Sequence, residues 1–176
     1  MAIKFSNAEL DPVWGATLRF GLAAVLMWIL LVASREKLPR GRAFLGASLY
    51  GVLAFGIAFA LGFYALVELE AGFATVLLST VPLMTLLLAV AQRQEKMRPA
   101  ALGGSVMAVG GIAVMVGLSF DGPIPVLPLL AMLAGSALMA EATIIVRWFP
   151  DVKPIALNAV GMTAGSIVLI VLTLVV

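Results

Sequence analysis

The sequence predicts an all-α fold, a polytopic bundle of membrane helices, and three observations carry that expectation. The 176 residues are 63% hydrophobic and only 11% charged, with a mean hydropathy of +1.17, a balance foreign to soluble domains of this size. The apolar residues gather into six runs, at about 12–34, 43–67, 72–91, 99–118, 124–147 and 155–176, each long enough to cross ~30 Å of hydrocarbon as a helix. The cations fall in short loops between alternate runs, a membrane-topology pattern. The whole chain therefore reads as one helical membrane unit with no inserted soluble domain.

Composition also excludes functions. The sequence has no cysteine and no histidine, so disulfides, His/Cys metal sites and the usual nucleophile–base pairs are unavailable. No metal, cofactor or enzymatic activity is expected. A net charge of +2 and a pI near 9.3 do not point to nucleic acid, because the cations are parcelled by topology. The expected partners are the lipid bilayer and a small-molecule solute.

The first eleven residues, MAIKFSNAELD, lack the apolar core of a signal peptide. The first run begins at Pro12, with Trp14 placed as an interfacial anchor. Arg19 lies about 10 Å inside it at helical rise. A cation at the bilayer centre costs about 2.5–3.5 kcal/mol, less towards the edge. Arg19 is expected to snorkel to the interface or to pair with Glu9, Asp11 or Glu68.

The second run carries small residues at Ala47, Gly51, Ala58 and Gly62 that allow close helix approach. Near its end Phe63 and Tyr64 line a cavity or act as interfacial aromatics.

The third run holds Pro82 near its middle. Proline removes a backbone donor and releases the carbonyl four residues back, that of Leu78. In lipid such a break is tolerated where protein or a water-lined cavity meets it. Thr75, Ser79 and Pro82 fall at i, i+4 and i+7 on one helical face. That stripe is a candidate wall of a solute path, with Val76, Leu83 and Leu87 on the opposite face. Packing alone is the alternative, since many membrane helices carry a proline and a few hydroxyls.

The fourth run repeats glycine every seven residues, at Gly103, Gly110 and Gly117, with Gly104, Ala108 and Gly111 beside them. This stripe is a packing surface for another helix, within the subunit or across a homodimer. No strand precedes it, so it is not a nucleotide loop. The fifth run contains Glu141, the one acidic residue inside any run. Intramembrane carboxylates are candidates for proton transfer or solute binding; the alternative is a carboxylate at the membrane edge that pairs with Arg147 or meets water. The sixth run places Gly161 and Gly165 in GxxxG spacing, again a packing signal.

Arg35, Lys37, Arg40, Arg42, Arg93, Lys96, Arg98, Arg147 and Lys153 share alternate loops. The expectation is that the loops at 35–42, 92–98 and 147–154 are cytoplasmic, with Glu68, Glu70, Asp121 and the N-terminus outside. An external start without a translocating helix suggests a missing upstream helix. The stretch from Ala2 to Val32 also overlays that from Ile144 to Val175: Lys4 falls near Arg147 and, with one gap, Pro12 meets Pro154. The two units lie five helices apart and so run oppositely through the bilayer. Inverted repeats of this kind are a transporter signature.

The motifs DPVWGATLRFGLAA, GFYALVELEAGFATVLLSTVPLMTLLLAV, GGSVMAVGGIAVMVG and FPDVKPIALNAVG together resemble the EamA-type transporters of the drug/metabolite transporter superfamily. The resemblance implies ten helices in two inverted five-helix repeats that move small metabolites by alternating access. It matches the family's arginine–phenylalanine pair to Arg19 and Phe20, its fourth-helix proline to Pro82, and its following glutamate to Glu95. Residues 1–120 would form the first repeat without its first helix, and 121–176 the first two helices of the second. The chain departs from the pattern in lacking the first and last three helices, and at Met139, Ala140 and Glu141, where a tryptophan-containing stretch is common. The implied setting is the cell membrane, in bacteria the inner membrane. The alternative is a non-transporting membrane scaffold or partner subunit derived from a truncated transporter.

Overall fold

The computed structural model describes residues 12–96, 99–116 and 125–175. Helix α1 spans Pro12–Ala33 and α2 spans Arg42–Glu68. Helices α3 (Ala71–Leu78) and α4 (Val81–Ala91) share one crossing. Helix α5 spans Pro99–Val116, α6 Val126–Ile145 and α7 Pro154–Val175. There is no strand among the described residues. Four described segments are long and apolar enough to cross a membrane: Arg42–Glu68, Ala71–Ala91, Val126–Trp148 and Pro154–Leu174. The other two predicted runs form α1 and α5. The fold is therefore a helical membrane bundle.

Helices α1, α2, α6 and α7 pack tightly. The last turn of α1 meets the first turns of α7, where Leu31 is buried with Ala156 and Ala159. Trp28 Nε1 donates to Thr163 Oγ1 at 2.9 Å further along the same interface. The two helices thus run antiparallel. Each is 22 residues long and opens with proline, which suits a first turn whose N–H has no helical partner.

Helix α2 crosses α7 through glycine. A Cβ on Gly51 would overlap the Gly161 backbone, and one on Gly165 would strike Phe55. Only hydrogen at these positions lets the backbones meet. At the same place α2 passes through a π-helical turn, Val52–Ile57, a wider coil that occurs mostly as a local bulge. Helix α6 closes the other side of α2, and a Cβ on Gly135 would lie 2.9 Å from the Ala58 carbonyl oxygen. Ala65, Leu69 and Met132 form a buried cluster there with Ala74 and Leu77 of α3.

The third predicted run is not one helix. It turns at Ser79–Thr80, and Pro82 sits in the first turn of α4, where proline is well tolerated. Ser79 and Thr80 keep right-handed torsions, so the turn is local and α3 and α4 remain one crossing. Helix α5 lies at the edge. Among the described residues, Cβ atoms added to Gly103, Gly104, Gly110 or Gly111 would meet nothing within 4 Å, and Met107 and Val114 are about four-fifths exposed. Gly117 lies outside the described residues.

Candidate functional site

The break between α3 and α4 opens onto a cavity of about 590 Å³. Phe59, Gly62, Phe63 and Leu66 face it from α2, and Leu78, Ser79, Val81 and Pro82 from the break. Met132 and Met139 of α6 and Ala108 of α5 complete the lining. The sequence makes this break in two steps. Pro82 offers no N–H to the Leu78 carbonyl. The hydroxyls upstream turn back on their own helix: Ser79 Oγ donates to the Val76 carbonyl and Thr80 Oγ1 to that of Leu77, each at 2.6 Å. Such bonds compete with the regular ladder and bend it.

The phenylalanines are held from behind. Phe20 of α1 contacts Phe59 edge-on at 4.6 Å between ring centroids, and Phe59 contacts Phe63 at 6.3 Å. Phe63 is buried with Leu169 of α7. The Arg19 guanidinium lies over the Phe63 ring, 6.0 Å from its centroid, a cation–π distance. Arg19 is thus engaged with an aromatic face rather than lining the cavity.

The cation-rich loops gather at one end of the bundle. Lys153 pairs with Glu36 at 3.4 Å, and Arg147 with Glu95 at 2.7 Å. Between these pairs, Gln92 Nε2 donates to both carboxylate oxygens of Glu141 at 2.7 Å. Gln94 Nε2 reaches the Ile144 carbonyl, and Trp148 Nε1 reaches Gln92 Oε1, each at 3.4 Å. This polar clasp ties the end of α4 to the end of α6. Along α6 it begins at Glu141, two residues beyond Met139, where the cavity ends.

The predicted site residues thus divide. Ser79 and Pro82 line the cavity. Thr75 is exposed and donates to the Ala71 carbonyl at 2.8 Å. Tyr64 is exposed on the outer side of α2, whereas its neighbour Phe63 faces inward. Glu141 belongs to the clasp, with Gln92 rather than Arg147 as its partner. Gly161 and Gly165 meet α2, while Gly103 and Gly110 face open space.

Phe63 lines the cavity, one of the two settings expected for it, whereas Phe59, Met132 and Met139 escaped sequence reasoning as cavity residues. The signal for them was present, since Phe55, Phe59 and Phe63 recur every four residues and the two methionines are seven apart on α6. Gln92 was also missed, because a polar residue just past an apolar run reads as solvated loop.

No curated protein and no solved structure shows a match to the chain. The EamA-like transporter family matches residues 1–117 of the 176, from before α1 to just past α5. By that match across two-thirds of its length, the chain belongs to the EamA-like transporter family.

Proposed function

We propose that this chain forms part of a permease or exporter that moves a small metabolite by alternating access, with the solute path through the cavity at the α3–α4 break. The observation that carries this reading is the break itself. Discontinuous helices are where transporters of inverted-repeat design build their midplane sites, and this one opens onto a cavity of ligand size. The clasp of Gln92, Glu95, Glu141 and Arg147 closes the bundle on the other side of Met139. The state is then open towards the Glu68 end and shut towards the cation-rich end.

The antiparallel contact of α1 and α7 supports the inverted repeat. These are the two proline-led helices that the overlay pairs, and a two-fold axis in the membrane plane brings such equivalents together. On this reading residues 1–120 belong to the first repeat of a ten-helix protein and 121–176 to the second. The cation-rich loops face the cytoplasm and the start of the chain lies outside the cell membrane. The scaffold reading draws on one feature, the open glycine face of α5, which leaves room for a helix from another subunit.

The test is sidedness. A Ser79→Cys thiol in this cysteine-free sequence should react with an uncharged sugar-bearing maleimide, which does not cross lipid, added outside, and a Glu68→Cys thiol should react from the same side. Replacing Gln92, Glu95 and Arg147 together by alanine should remove about 2 kcal/mol of clasp, about thirtyfold in population. Reaction at position 79 should then appear from the cytoplasmic side. A thiol at 79 that is inert from both sides, with and without the clasp, would leave the scaffold reading standing.

A further inference from the structure

We infer that the cavity at the α3–α4 break takes an uncharged aromatic solute and discriminates against ions and zwitterions. This rests on the cavity being the solute path. No described lining residue carries a formal charge. The single hydroxyl in the lining, Ser79, gives its proton to the Val76 carbonyl and has none left for a ligand anion. The nearest described cation on α1, Arg19, is outside the lining and lies over the Phe63 ring. A charged group entering here would shed water and find no counter-charge, which strongly disfavours it.

What the cavity offers instead is flat, soft and apolar. Phe59 and Phe63 are braced by Phe20 and Leu169, so their rings are set before a ligand arrives. Fixed rings favour offset or edge-on contact with a second aromatic. Met132 and Met139 adapt to its outline, since an unbranched thioether repacks easily. The cavity volume of about 590 Å³ falls within the range of drug-sized pockets, about 300–1,000 Å³. The class is therefore a neutral molecule with one or two aromatic rings.

The experiment compares three probes that share one ring system: methoxynaphthalene, naphthalenesulfonate and naphthyltrimethylammonium. The full-length protein in lipid vesicles carries Met139→Cys, and alkylation of that thiol by N-ethylmaleimide is timed. Ser79→Cys, nearly isosteric, serves as the second variant. Methoxynaphthalene should slow the reaction saturably, at concentrations about a hundredfold below those needed by either charged probe. Leu22→Cys, on the exposed face of α1, should show no such protection. Equal protection by a charged probe would overturn the inference. So would thiols at 139 and 79 that are inert before any probe is added, the mark of a resident lipid chain. The transport reading stands separately on the sidedness test, so a charged probe that protects would change the solute class and leave transport intact.

Discussion

The two sides of this bundle use the same residues to different ends. On one side α1, α2, α6 and α7 meet through glycine and alanine until backbone touches backbone, with Gly51 against Gly161. On the other side the α3–α4 break and Ala108 of α5 face a cavity backed by α2 and α6, and Cβ atoms on the α5 glycines would meet nothing within 4 Å among the described residues. Small residues at regular spacing therefore announce a capacity for close approach, and the partner decides whether that capacity is used. The contrast also separates rigid from movable. A backbone-to-backbone crossing has one workable geometry. A half-helix pair ending in a clasp of side chains has more than one.

Substitution at glycine gives the largest expected difference between the sides. Gly51→Val forces a side chain into the Gly161 backbone, which no rotamer of a neighbour relieves. The expected cost is about 3 kcal/mol or more, at the upper end for overpacking, seen as loss of a folded fraction in detergent-based thermal unfolding. Gly103→Val on α5 meets open space and should stay within about 0.5 kcal/mol of the parent. A strong effect at position 103 in the full-length protein, absent from this chain alone, would identify the α5 face as an occupied interface and break the contrast.

Much of this was legible in the sequence, and what was not has a physical reason. The runs that became α2, α6 and α7 needed only length and hydropathy, because lipid demands a helix wherever backbone crosses it. The gathering of three cation-rich loops at one end followed from simple alternation. The break was harder. Pro82 marked it, but the turn falls at Ser79–Thr80, because hydroxyl side chains that bond their own helix end α3 before the proline is reached. Thr75, one turn before Ser79, is exposed and bonds the Ala71 carbonyl, while Ser79 and Pro82 line the cavity. Tyr64 and Phe63 could not be told apart, since neighbours on a helix point about 100° apart and only the position of α6 and α7 chooses between them. Glu141 looked like a lone intramembrane acid because its partner, Gln92, is 49 residues away in sequence.

The clasp gives a second, smaller contrast. Arg147 and Glu95 form a short ion pair, yet their side chains are 50% and 44% exposed. Water and salt screen such a pair, so a double-mutant cycle should return about 0.2–1 kcal/mol, falling at high salt. The Gln92–Glu141 contact is better shielded, with one amide nitrogen shared between both carboxylate oxygens. Its cycle should return about 1.5–3 kcal/mol, the range for a hydrogen bond to a charged group, with little salt dependence. The reverse order would mean that the ion pair, not the amide, holds α4 to α6.

The smallest expected effect asks whether the two sides differ in local strain as well as in packing. Arg35 after α1 and Arg93 after α4 both have positive φ, 55° and 57°. Both close their helices in the same manner. Glu36 N–H reaches the Leu31 carbonyl at 3.3 Å, and Gln94 N–H reaches that of Ala89 at 2.9 Å, the six-residue bond of a Schellman cap. A left-handed residue with a Cβ costs about 1 kcal/mol, and glycine gives back about half of the gain through its freer unfolded chain. Arg35→Gly and Arg93→Gly should each therefore stabilise by about 0.5 kcal/mol in thermal unfolding, if strain is purely local. Arg35 closes a helix on the tightly packed side and Arg93 one on the cavity side. Equal shifts would confine the difference between the sides to packing. A gain at 35 with a loss at 93 would mean that the strained turn after α4 is held in place by the clasp beside it, through Gln92 and Gln94, and that the two are one movable unit.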